Sequence, residues 1–178
     1  MICSGEAGVG VKTGLGLCLL PYTIISNMKT PDLTQHPPRS PRVRLGGYAI
    51  LARVIDKGRA TLVGKHGDYK YGNPMDQHFL TFTGIAKEAL LEQIKTGAGD
   101  WELLKWVNAN ATPHRAPHEV RAWAAHFEMM PVGDAEDLEW YAAEVRRINP
   151  ARADLQTIVD YLDADDFVSF GGMARTIP

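Results

Sequence analysis

The sequence predicts a mainly α-helical fold, a single compact domain of about seven helices with one small β-hairpin. Three observations carry this expectation. Apolar residues recur at helical spacing in several separate stretches. Proline, glycine, asparagine and aspartate stand where helix starts and stops need them. No alternation of strand and helix patterns points to a parallel sheet, and no internal repeat is present. With 178 residues, 45% hydrophobic and 22% charged, the chain is long enough and balanced enough for one globular core.

The first 27 residues stand apart, with a single Lys, a single Glu, and many Gly and small apolar residues. They make a poor secretion signal. Glu6 and a lone Lys12 form a weak positive region, Pro21 interrupts the apolar run, and no small-residue cleavage site follows. The stretch "MKTPDLTQ" from Met28 reads as a natural start. Residues 1–27 are therefore expected to be a non-native or disordered leader, ahead of a single helical domain over 28–178. Both cysteines, Cys3 and Cys18, fall in that leader, which leaves residues 28–178 without a disulfide, a Cys-zinc site or a cysteine nucleophile.

Pro31, Pro37, Pro38 and Pro41 predict an extended surface strap up to Arg44. Gly46-Gly47 then opens a helix whose buried stripe is Tyr48, Leu51, Val54 and Ile55, with Arg53, Asp56 and Lys57 on other faces. Thr61–Lys65 and Asp68–Tyr71 read as two short strands around a His66-Gly67 turn. Asn73 caps a helix that has Pro74 at its first position, carries Phe79 and Phe82, and stops at Gly84. "IAKEALLEQIKTG" is amphipathic and closes on Gly97, and Asp100 caps "WELLKWVNANA". Pro117 starts a helix with Val120, Trp123, Phe127 and Met130 on one side. Asp134 starts another, with Leu138, Tyr141, Val145 and Ile148, which must end before Pro150. Leu155, Ile158, Val159 and Leu162 form the last stripe, leading into "DADDFVSFGG".

The segments "SPRVRLGGY", "DKGRA" and the closing "DDFVSFGG" resemble a family of bacterial proteins classed as domain-of-unknown-function family 5069, and the resemblance covers residues 30–173. It implies a small, cytoplasmic bacterial domain that begins near Met28. It supplies no activity, cofactor or catalytic residue.

Charge is segregated along the chain. Residues 28–70 carry a net +6 and residues 71–178 a net −8, within an overall −2. That balance argues against nucleic acid or an anionic membrane as partner, and no apolar run reaches the roughly 18 residues of a spanning helix. Two readings of the Arg-rich segment follow. In the first, the arginines neutralise acids of the same chain. Asp163, Asp165 and Asp166 are expected at or beyond the C-terminal end of the last helix, where negative charge opposes the dipole by ~0.3–1 kcal/mol per group and invites a cation such as Arg44. In the second, Arg42 and Arg44 clamp an outside phosphate or carboxylate at a glycine-opened helix start, with Tyr48 as donor.

The expected function is a small-molecule (anion) binding or interaction module. Its polar site is formed by Arg42, Arg44, Tyr48, Arg53, Asp56, Arg59 and Asp166. The alternative is a small enzyme acting on an anionic metabolite, with Arg42, Arg44 and Arg59 orienting substrate and Asp56 or Asp166 as acid or base. No cofactor or metal is expected, because His114, His118 and His126 lack a ligand spacing. Ser40 and Ser169 lack a nucleophile motif. The four tryptophans read as core, and the oligomeric state is left open.

Overall fold

Ten consecutive residues, Leu51 to Ala60, are buried, and they define the centre of the molecule. They belong to helix α1, Leu51–Leu62. The structure, a computed structural model, describes residues 30–133 and 135–171. The expectations placed on the 1–27 leader and on Asp134 as a helix start lie outside the described residues. Around α1 stand α2 (Pro74–Thr83), α3 (Lys87–Lys95), α4 (Asp100–Asn110) and α5 (Pro117–Glu128). The C-terminal pair, α6 (Ala135–Ile148) and α7 (Ile158–Ser169), completes the seven helices found among the described residues.

Because α1 is surrounded, burial is not confined to the expected stripe, and Arg53, Asp56 and Lys57, expected on other faces, are enclosed as well. They are 3%, 7% and 1% exposed. The expected helix start is also displaced. Leu45 and Tyr48 exchange both backbone hydrogen bonds at 3.1 Å, closing a tight turn over Gly46 and Gly47 at φ 61° and 93°. Positive φ at both central residues is what a mirror-image turn demands, and glycine supplies it without strain. A side chain at Gly46 would also collide with Leu104. The helix starts only at Leu51, after Ile50 in the left-handed region at φ 58°. Its first turn is enclosed, with Leu51 N–H donating to Ala49 O at 2.7 Å, so it presents no open N-terminus to a ligand.

The expected hairpin is absent. Thr61 and Leu62 finish α1, and residues 63–72 form successive turns with Gly64, Gly67 and Gly72 at positive φ. Their N–H groups close locally, as in Lys65 to Ala60 O at 2.9 Å and Tyr69 to His66 O at 3.0 Å. Short-range turn bonds outcompete a ladder that only two short strands would share. The strap does dock here, since the buried Leu33 donates to Lys65 O at 2.9 Å.

The Asn73 cap stands as expected, its side chain accepting from Asp76 N–H at 3.0 Å with Pro74 at the helix start. Asp100 is the first residue of α4, after Gly99 as cap, which leaves its carboxylate available for arginines. The main core gathers Tyr48, Leu51, Val54, Ile55, Phe79, Leu90, Ile94, Leu103, Val107, Val120 and Phe127. Trp123 only edges it, stacked on Phe82 with ring centroids 4.6 Å apart, and Met130 falls beyond the end of α5. A second cluster of Val132, Tyr141, Ile148, Leu155, Tyr161 and Ala164 holds α6 against α7. Asp163, Asp165 and Asp166 lie within α7, which runs on to Ser169, so the argument from an unfavourable helix end does not apply to them.

Phe127→Ala should cost about 3–5 kcal/mol in chemical denaturation, as for other fully enclosed aromatics, and Trp123→Ala clearly less. Equal losses would mean that the edge of the aromatic stack is as enclosed as its centre.

Candidate functional site

The charges carried into the interior by α1 each meet a partner from a different part of the chain. Arg53 grips Asp166 of α7 with two bonds, 2.6 and 3.2 Å, both side chains more than nine-tenths buried. Lys57 donates to Asp76 of α2 at 2.6 Å, with both groups enclosed. Asp56 accepts both Nε and Nη2 of Arg39 at 2.8 Å, along with the Arg39 backbone N–H at 3.0 Å. Arg59 reaches Asp100 of α4 at 2.8 Å and Ala98 O at 3.0 Å, and Arg39 also bonds Asp100. A buried charge left unpaired costs several kcal/mol, so each pairing fixes where its segment must lie.

Of the residues expected to form the site, Arg53 and Asp166 come together, and Asp56 and Arg59 lie on another side of α1, joined through Arg39 and Asp100. Arg42 meets Asp160 and, at 3.2 Å, Asp163. Arg44 makes a forked bond to Glu128 of α5, both distances 3.0 Å, so the expected Arg44–Asp166 pairing is replaced by Arg44–Glu128 and Arg53–Asp166. Tyr48 is 2% exposed, and its hydroxyl donates to Asn108 at 3.2 Å.

A cleft of about 690 Å³ lies between the 67–75 segment and α7. Arg53, Lys57, Tyr69, Lys70, Tyr161 and Asp166 all contribute to its walls. Tyr69 donates to Asp166 at 2.7 Å, lies under the Arg53 guanidinium at 5.4 Å, and stacks with Phe170 at 6.4 Å. Burial, and then the bond to Asp166, raises the proton affinity of its hydroxyl. Tyr161 is pushed up to about 12 by burial, the nearby Asp165 and its bond to Glu144. Burial lowers Lys57 from the ordinary lysine value, while the Asp76 carboxylate opposes that shift. Lys57, Tyr69, Lys70 and Tyr161 were not expected at the site. The spacing of Arg53 and Lys57, one helical turn apart, was the available signal for one shared side of α1. Among the described residues, no group of three His, Cys, Asp or Glu comes together to hold a metal ion, and no helix is long and apolar enough to cross a membrane.

A family profile matches residues 35–168. The chain belongs to the DUF5069 family, a domain of unknown function. No curated protein matches it. The DUF5069 region contains every residue of the four charge pairings on α1, from Arg39 to Asp166. It covers the last helix as far as Val168, while the strap residues that line the cleft, Leu33 and Thr34, precede it.

Two predictions follow from burial and charge. Arg53→Ala or Asp166→Ala should cost about 3–5 kcal/mol, with clear non-additivity between them in a double-mutant cycle. Arg44→Ala should cost only ~0–1 kcal/mol and be additive with Asp166→Ala. Strong coupling between Arg44 and Asp166 would contradict the observed pairing.

Asp100 gives the pH dependence. Burial acts to raise its pKa, but the bonds and charges of Arg39 and Arg59 outweigh it and hold the group below the ordinary carboxylate value. Stabilisation from a lowered carboxylate is complete above the unfolded value of about 3.9, and it is lost as pH falls through the lower folded value. A thermal-melt series in acid should therefore fall less steeply for Asp100→Asn than for the parent chain. Parallel acid limbs would remove Asp100 from the acid response.

Proposed function

We propose that this DUF5069 domain is a small-molecule-binding module whose site is the cleft between the 67–75 segment and α7, and that its ligand is a small anion. The observation that carries the reading is the pair of buried cations, Arg53 and Lys57, one turn apart on the central helix and both in the wall of one cleft. Their own acids neutralise them. Exposed Lys70 at the same wall has no ion-pair partner among the described residues. Asn73, whose oxygen caps α2, adds amide N–H donors. In this reading Arg39, Arg42, Arg44 and Arg59 serve as scaffold and leave ligand contact to the cleft. The net charge of −2 gives nucleic acid no part in it, and the cytoplasmic location implied by the family resemblance is adopted with it.

A second reading, an enzyme using acid–base chemistry on an anionic metabolite, is favoured by one feature. Lys57 is an amine made less basic by burial beside a cleft. Asp56 and Asp166 are poorer candidates for acid or base, because both oxygens of each already accept bonds from an arginine.

The test is a thermal-shift series with inorganic phosphate and small di- and tricarboxylates. A true ligand at about 100 times its Kd should raise Tm by roughly 5–10 °C, and Lys70→Ala should reduce that rise. No stabilisation by any of these anions, or a rise that Lys70→Ala leaves intact, would overturn the reading. Consumption of a stabilising anion, abolished by Lys57→Met, would favour the enzyme.

A further inference from the structure

We propose that α6 and α7 form a flap latched to the body of the domain by charge, and that the pair swings away as a unit when those charges are screened. The pair has its own small core, Val132, Tyr141, Ile148, Leu155, Tyr161 and Ala164, which is separate from the main cluster. Among the described residues, Val159 alone of α6 and α7 joins the body's core. The other attachments are mainly polar. Asp160, Asp163 and Asp166 recur at three-residue intervals along α7, a spacing that keeps them near one side of a helix. Arg42 takes the first two and Arg53 the third, with Tyr69 also bonded to Asp166 and stacked on Phe170. The Arg42 side chain is 38% exposed and those of Asp160 and Asp163 are 25% and 33%, so salt can reach that part of the latch.

The junction is also loosely filled. The cleft of about 690 Å³ lies on it, lined by Arg53 and Lys57 of the body and by Tyr161 and Asp166 of the flap, whereas a cavity of about 590 Å³ lies within the flap and takes Arg42 alone of its lining from the body. Among the described residues the chain passes from the body to the pair once, after α5 ends at Glu128. Pro131 already pairs with Thr157, and Val132 packs in the flap's own core, which places the hinge at Met129-Met130. Outward movement there breaks the polar line and withdraws Val159 from the body's core, while the remaining contacts of each core stay in place. The inference stands on the packing of the pair, independently of whether the cleft takes a ligand.

Hydrogen exchange of the full chain, read by peptide between roughly 0.1 and 1 M NaCl, tests it, because the Debye length shrinks from ~10 to ~3 Å over that range. The expected result is faster exchange in peptides of α7 and the 67–75 segment, with α1 to α4 unchanged. Arg42→Gln at low salt should reproduce the same pattern. If α7 exchanges in step with α1 at every salt concentration, or salt has no effect on it, the latch is wrong. Should Arg42→Gln fail to fold, the salt series on the unaltered chain still decides. Anion binding is read separately by thermal shift, so loss of one result leaves the other standing.

Discussion

A buried helix that carries two arginines, a lysine and an aspartate is the constraint on which the rest of this structure depends. In low-dielectric surroundings none of these groups can stand alone. Asp56 requires Arg39 of the strap, Lys57 requires Asp76 of α2, Arg59 requires Asp100 of α4, and Arg53 requires Asp166 of α7. Hydrophobic burial alone would let helices slide and rotate against one another at modest cost. Four directional pairings on four segments leave far fewer arrangements that satisfy every charge. This is the specificity that buried polar groups can confer, obtained at the expense of stability that apolar residues would supply more cheaply.

The same constraint brings together the charges that the chain segregates. The basic N-terminal part and the acidic C-terminal part meet inside the molecule. Arg39, Arg42, Arg44, Arg53 and Arg59 all end on carboxylates of the chain itself. The cleft proposed as the ligand site lies beside three of these interior groups, Arg53, Lys57 and Asp166. That cleft also lies at the junction between the two apolar clusters. A polar joint between two separately packed units is where a domain can both hold a small molecule and move.

Much of the helical plan was legible in the residues. Asn73-Pro74, the glycine after Phe82 and Thr83, and the stripes through Leu90 and Ile94 are local signals, and they operate within one or two turns of chain. Where reading failed, a nearby or distant competitor had won. Gly46-Gly47 carries the same residues a helix start could use, but Leu104 packs where a side chain at Gly46 would lie, and the pair serves a turn. The run from Thr61 to Tyr71 has the composition of two strands, yet Gly64 and Gly67 within it and Gly72 after it, all at positive φ, turn it on itself. The acids of α7, expected at or beyond a helix end, lie within it, because the helix continues through "DADDFVSF" on packing that the local residues do not reveal.

The sequence by itself determined the helical class, the main caps and the need for arginines to meet acids, because periodicity, cap chemistry and charge balance are properties of short stretches or simple totals. Only the tertiary structure decided which arginine meets which acid and that α1 is enclosed on every side. Arg53 and Asp166 are 113 residues apart, and no local energy distinguishes that pairing from Arg44 with Asp166. The choice is made when the helices pack: Glu128 comes within reach of Arg44, and Asp166 faces a guanidinium already withdrawn from water.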